Sequence, residues 1–155
     1  MADMLVKLYE VAGSGICDGE LNKKGIAVRR ALAPEKIVAS DWIRQNFGLH
    51  WASECDVAFS HQPISCYIAL MGKEILGFAC YNTTLKGFFG PTGVAENQRG
   101  LGIGKSLLLA CLNAMYAEGY GYAIIGGAGP EEYYTKTVGA IRIEDSVPGI
   151  YKGLL

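Results

Sequence analysis

The chain has 155 residues and a mass of 16.6 kDa; half of it is hydrophobic, 19% is charged, and the mean hydropathy is +0.20. A chain of that length suits one domain that removes roughly 68–70% of its surface from water, which excludes general disorder and makes a disulfide framework or structural metal unnecessary. Fourteen basic against fifteen acidic side chains leave a net charge of −1, without the basic excess of a nucleic-acid track or a polybasic membrane patch.

Residues 5–11 alternate apolar and polar side chains and predict a strand, followed by a loop at Gly13-Ser14-Gly15. Together, residues 1–24 read as an extra strand and loop. Residues 25–32 carry the β-branched content of a second strand. Pro34 is placed to open a helix running to Phe47 and closed by Gly48, with Ile37, Val38, Trp42, Ile43 and Phe47 as its apolar face. Residues 51–59 predict a shorter helix. Residues 65–71 and 75–82 read as paired strands turning at Gly72-Lys73.

Residues 88–94 form a further strand, and Gly90, Pro91 and Gly93 within it predict bulging or splaying rather than a regular ladder. A helix over 102–118 buries Ile103, Leu107, Leu108, Cys111, Leu112 and Met115 and stops at Gly119. Residues 122–125 make a short buried strand, 130–138 a helix, and 141–143 a last extended stretch. The expected architecture is one α/β (α+β) domain over residues 1–155 with a mixed, mostly antiparallel sheet.

The five cysteines (17, 55, 66, 80 and 111) are odd in number and scattered, no CxxC occurs, and neither His50 nor His61 completes a metal-ligand spacing. They read as reduced thiols, most of them small apolar fillers, with no metal. The first ten residues carry acids and lack the apolar core of a signal peptide, and no run of about eighteen apolar residues is present. The expectation is a soluble, cytoplasmic protein without membrane or nucleic-acid partners.

The chemistry concentrates at Val94-Ala95-Glu96-Asn97-Gln98-Arg99-Gly100-Leu101-Gly102-Ile103-Gly104-Lys105-Ser106, where a strand meets a helix through three glycines in five positions. Glycine in a helix costs about 0.8–1 kcal/mol relative to alanine, so three of them are a sizeable sacrifice unless bare backbone is required. A helix start offers unpaired N–H groups and about half a positive charge, to which Arg99 and Lys105 add full charges. Those features suit a phosphate or pyrophosphate. A Walker A loop needs glycine where Arg99 stands, and the dinucleotide pattern needs it at Lys105 or Leu107.

The pattern that fits is R-x-x-G-x-G, as Arg99-Gly100-Leu101-Gly102-Ile103-Gly104, and here the sequence resembles the GNAT superfamily of acyl-CoA-dependent N-acyltransferases. Glu132-Tyr133-Tyr134-Thr135-Lys136-Thr137-Val138-Gly139-Ala140 also resembles that family's aromatic-Tyr-x-Lys-x-x-Gly-Ala segment. The likeness runs from about residue 65 to 140. It implies a splayed-strand cleft for acetyl-CoA, with Thr92, Gly93 and Val94 along the pantetheine and Arg99, Gly100, Leu101, Gly102, Ile103, Gly104, Lys105 and Ser106 around the pyrophosphate. It further implies Tyr134 as the general acid that protonates the departing thiolate, with Tyr133 as the alternative. Glu96-Asn97-Gln98 departs from the Pro-x-Tyr seen in many members.

The implied reaction is direct attack of a primary amine, on a small molecule or a peptide, upon the acetyl thioester in a ternary complex; a non-catalytic CoA-binding sensor is the alternative. The resemblance is also compatible with a homodimer. Glu54, Asp56 and His61 read as solvated groups or caps rather than a base, and Cys80 as core. Trp42, Trp51 and Phe59 read as core rather than an acceptor pocket, and Phe88-Phe89 as core on one side and cofactor-facing on the other. The turn-rich segment 146–151 is placed to fold over the acceptor side or a subunit contact.

Overall fold

The computed structural model describes residues 1–13 and 18–155; Ser14 and Gly15 of the expected loop, and Cys17, lie outside the described residues. The sheet is organised around β4 (Glu74–Tyr81), whose last six residues are all buried because helices cover both of its faces. Its neighbours are β3 (Cys66–Met71) and β5 (Phe88–Val94), and the strand order of the seven-stranded sheet is β2-β3-β4-β5-β6-β1-β7. The outer strands are β1 (Met4–Lys7), β2 (Ile26–Arg30), β6 (Tyr122–Ile125) and β7 (Ile141–Arg142). All pairings are antiparallel except β5 with β6.

Side chains alternate across the central strands, so two cores form on opposite faces. On one face Ala69, Ala79 and Tyr81 pack against Ile103, Leu107, Leu108, Cys111, Leu112 and Met115 of α5 (Ile103–Ala117), the apolar stripe expected from the sequence. On the other, Cys66, Ile68, Phe78 and Cys80 meet Ile43, Ala52, Cys55 and Ala58 from α3 (Lys36–Phe47) and α4 (Leu49–Ala58). Trp42, Phe47 and Trp51 close around Phe78, with ring centroids 6.4, 5.7 and 6.2 Å from it. Arg30 ties β2 to its neighbours by donating to the Tyr81 hydroxyl at 2.8 Å, the Tyr67 hydroxyl at 3.0 Å and the Ile64 carbonyl at 2.6 Å.

Three expectations need correction. The first strand ends at Lys7, and Leu8–Val11 coil into a helical turn, α1, because Leu8 and Val11 reach the α5 core three residues apart. A short helix α2 (Gly19–Lys23) stands where a loop was read. In α3 the buried positions are Ala39 and Ile43, while Ile37 and Val38 are exposed. Ala39 and Ile43, four residues apart, share the buried face, and a 3-10 turn over Ala33–Glu35 precedes the helix. The final helix, α6 (Glu131–Val138), carries Glu131 and Glu132 in its first turn and Lys136 in its last, which complements its dipole, and Gly139 closes it.

Phe78 is wholly buried and shared by three aromatic neighbours. Phe78→Ala is expected to lower unfolding free energy by about 3–5 kcal/mol in urea titration, because rings held by two helices cannot all collapse into the space.

Candidate functional site

β5 is paired unequally along its two edges. Toward β4 its ladder extends through Thr92, Gly93 and Val94, opposite Ala79, Phe78 and Gly77. Toward β6 only Phe88 and Phe89 pair, with Ile124 and Ile125. Beyond Phe89 the strands part, leaving one edge of Thr92–Val94 without a strand partner among the described residues. The splaying expected from Gly90, Pro91 and Gly93 is therefore present, and it opens the cleft.

That cleft encloses about 680 Å³ and is lined by four groups of residues. Thr92, Gly93 and Val94 form the strand wall; Gln98, Arg99, Gly100, Gly102, Ile103, Gly104 and Lys105 form the mouth at the start of α5; Tyr133 and Tyr134 form the α6 wall. Phe47, Trp51, Phe89, Leu108 and Pro130 complete the surface. Leu101 and Ser106 lie outside the lining. Ser106 is 8% exposed and donates its hydroxyl hydrogen bond to Asp18, which fastens the start of α2 to the first turn of α5.

At the mouth, Gly100 and Gly102 adopt φ of +85° and +87°, where an ordinary side chain is strained, yet a Cβ at either would meet nothing within 4 Å. Backbone conformation and open space, rather than tight packing, require glycine there. Among the described residues no side chain caps α5, which leaves the N–H groups of its first turn without a side-chain partner there. Arg99 is steered back over the strand by donating from Nε to the Val94 carbonyl at 3.3 Å. Gly93 serves a different need: a Cβ there would lie 2.5 Å from the Phe47 ring, so glycine lets that ring reach the cleft wall.

Tyr134 is 7% exposed and stands edge-on to Tyr133, with ring centroids 5.2 Å apart. Burial, with a smaller contribution from Tyr133, pushes its hydroxyl from the usual 10.0 up to about 12. Its hydroxyl is therefore neutral throughout the physiological range. Tyr133 is 38% exposed, and burial raises its hydroxyl too, while a hydrogen bond with the Thr137 side chain opposes the rise.

Sequence reasoning assigned Trp51 to the core, but it also lines the cleft, and Phe47 joins it with ring centroids 5.2 Å apart. The break at Gly48 between α3 and α4 is the local signal that sets these rings side by side; their position over β5 has no local signal. Trp42 and Phe59 pack against the second core as expected. Glu54, one turn beyond Trp51, is half-buried and accepts a hydrogen bond from the Thr84 hydroxyl rather than standing in solvent. Asp56 is exposed, and His61 Nε2 lies 2.9 Å from the Asn82 carbonyl.

The carboxy-terminal segment crosses the same side. Asp3 accepts from the Gly127 amide at 2.8 Å beside Gly149; Tyr151 sets its ring against Gly126 and Gly127; His50 Nε2 of α4 lies 2.8 Å from the Leu155 carbonyl.

A model of the acetyltransferase (GNAT) family matches residues 29–136, from β2 to the middle of α6. The chain belongs to that family. No curated protein sequence matches it. Among solved structures, the GCN5-related glucosamine N-acetyltransferase region of a fungal multi-domain GH3 β-N-acetylglucosaminidase superposes with a TM-score of 0.72 at 15% identity, covering 92% of this chain and 19% of that one. A GCN5-related N-acetyltransferase from Sphaerobacter thermophilus gives 0.64 at 16% identity, covering 92% and 48%. An aminoglycoside acetyltransferase from an uncultured soil metagenomic sample, in complex with sisomicin, gives 0.52 at 14%, covering 74% and 85%. This chain thus spans less than half the length of the first two, and at such identities the likeness shows the GNAT fold alone. Among the described residues no helix is long and apolar enough to cross a membrane.

Because the Tyr134 hydroxyl is raised in the native state, its contribution to stability is fully present below pH 10 and is lost as pH climbs through about 12. That loss is expected to be roughly 2–3 kcal/mol. Urea midpoints recorded across this window should fall more steeply for the native GNAT chain than for Tyr134→Phe.

Proposed function

We propose that this protein transfers an acetyl group from acetyl-CoA to a primary amine by direct attack in a ternary complex. The observation that carries the reading is one cleft in which, among the described residues, a strand edge without a strand partner, a helix start without a side-chain cap flanked by Arg99 and Lys105, and a buried neutral tyrosine meet. Coenzyme A has three matching parts: a diphosphate, an amide-bearing arm and a thioester.

The first-turn N–H groups of α5 hold the diphosphate, with Arg99 and Lys105 compensating its charge. The free edge of Thr92–Val94 pairs with the amides of the pantetheine arm, an added strand in effect. A strand held by β4 on its other edge supplies fixed N–H donors to the thioester carbonyl as negative charge develops there. The apolar wall of Phe47, Trp51 and Phe89 excludes water from the reacting carbon. Tyr134 gives its proton to the departing thiolate; the amine nitrogen, neutral when it attacks, forms the new amide bond, and the proton it sheds on becoming an amide returns through solvent to the Tyr134 oxygen. An alkylammonium has a reference pKa of about 10.4, so proton removal from the acceptor precedes attack.

The acceptor enters from the α4 side, where the half-buried Glu54 carboxylate, outside the cleft lining, stands one turn beyond Trp51. That chemistry favours a cationic small-molecule or peptide amine. We place the reaction in the cytoplasm, where acetyl-CoA and reduced thiols are both found.

A thermal-shift titration with acetyl-CoA followed by thiol-release assays over an amine panel tests the reading. Stabilisation with thiol release supports it; stabilisation without release from any amine leaves the CoA-binding sensor, and no stabilisation removes both. Tyr134→Phe is expected to lower kcat about 100-fold or more with KM for acetyl-CoA nearly unchanged. With a simple alkylamine, kcat/KM should rise from pH 7 toward 9.5, with no descending limb from Tyr134 below about pH 11.

In calorimetry, Gly102→Val should weaken CoA binding at least tenfold, about 1.4 kcal/mol, because the new side chain strains the αL position and covers the amides. Leu101→Ala, outside the lining, should leave CoA binding unchanged.

A further inference from the structure

Three cysteines that the sequence scatters meet in the second core. Cys66 and Cys80 stand directly opposite one another on β3 and β4, and Cys55 comes down onto them from α4. Their three sulfurs all lie within 4.8 Å of one another, and each residue is wholly buried at 0% exposure. None of them lines the acyl-transfer cleft. The surroundings are apolar: Ala31, Ile43, Ala52, Ile64, Ile68 and Phe78 share the cluster.

Three sulfurs bonded at about 2.3 Å to one centre stand about 4 Å apart in a plane and somewhat closer in a pyramid. Small side-chain rotations bring this trio to that spacing. Among the described residues no histidine or carboxylate joins the group, so a tetrahedral ion such as zinc lacks a fourth protein ligand. Charge narrows the choice further. Three thiolates carry −3, leaving −2 with a monovalent ion and −1 with a divalent one, and an apolar core strongly disfavours either. A trivalent thiophilic centre leaves none.

We propose that Cys55, Cys66 and Cys80 form a three-sulfur site for a trivalent thiophilic species of the trihydroxy-arsenic(III) class, bridging α4 to the sheet. The step balances without an oxidant. Three As–O bonds break, three As–S bonds form, and each thiol proton leaves with a hydroxyl as water. The oxidation state stays +3, and both the entering and the bound species are neutral, as passage through an apolar core requires. Entry needs α4 to lift locally from β3 and β4, and occupancy then ties down the helix that carries Trp51, one turn before Cys55. The inference is independent of the acyl-transfer reading.

The test incubates the reduced Cys17→Ala chain with sodium arsenite and reads native mass spectrometry and thermal unfolding. The expected result is one arsenic per chain, with a mass gain of one arsenic less three protons and a rise in Tm. Both should be lost in Cys66→Ala and in Cys80→Ala on that background and kept in Cys111→Ala. Cys55→Ala, on the outer helix, repeats the test where a sheet variant fails to fold, and circular dichroism confirms the fold of each variant used. No adduct, an adduct that keeps a hydroxyl on arsenic, or an adduct that survives loss of any one of the three thiols overturns the proposal. Preferential uptake of zinc(II) or copper(I) in competition with arsenite overturns it as well.

Discussion

The one-sided pairing of β5 is the constraint from which the site follows. A strand held along both edges spends its amides and carbonyls on its neighbours; a strand held along neither has no fixed geometry. Here β4 fixes Thr92, Gly93 and Val94 from one side, while β6 leaves after Phe88 and Phe89. The result is an ordered backbone edge facing a cleft, without a strand partner among the described residues and with its Val94 carbonyl taken by the Arg99 side chain.

The two cores hold that arrangement from opposite faces. Gly77 places β4 against α5, where a Cβ would press on Leu107 and Ile103 at 3.1 and 3.3 Å, so the start of α5 sits directly over the β5 edge. On the other face Phe78 anchors Phe47 and Trp51, and Gly93 allows Phe47 to close over the strand. Cationic side chains at the mouth and apolar rings at the base create a gradient along the cleft. The charged end of that gradient lies at Arg99 and Lys105, and its apolar end includes Tyr134, where burial holds the hydroxyl protonated.

Much of this is local in origin and was legible. The glycine pattern from Gly100 to Gly104, with Arg99 before it, marks a strand-to-helix junction designed for bare backbone, and Gly90, Pro91 and Gly93 mark the strand that cannot pair regularly. The α5 stripe and the limits of β3, β4 and β6 follow from periodicity and turn residues. The errors were local ambiguities decided by packing. Residues 5–11 alternate well enough for a strand, but Leu8 and Val11 are held by the α5 core, and α3 turns Ala39 and Ile43 inward and leaves Ile37 and Val38 exposed.

By itself the sequence determined the GNAT class, the position of the glycine-rich strand-to-helix junction, and the Tyr133-Tyr134 pair that lines the same cleft, because each depends on residues within one turn or one loop of each other. Only the tertiary structure decided what distant segments do together. Trp51 became a cleft wall as well as a core residue, Ser106 turned to Asp18, Glu54 found Thr84, and Cys55, Cys66 and Cys80 converged. The reason is physical: periodicity and propensity are written in short-range spacing, whereas which faces meet is settled when strands choose their register and two helices close over a shared ring.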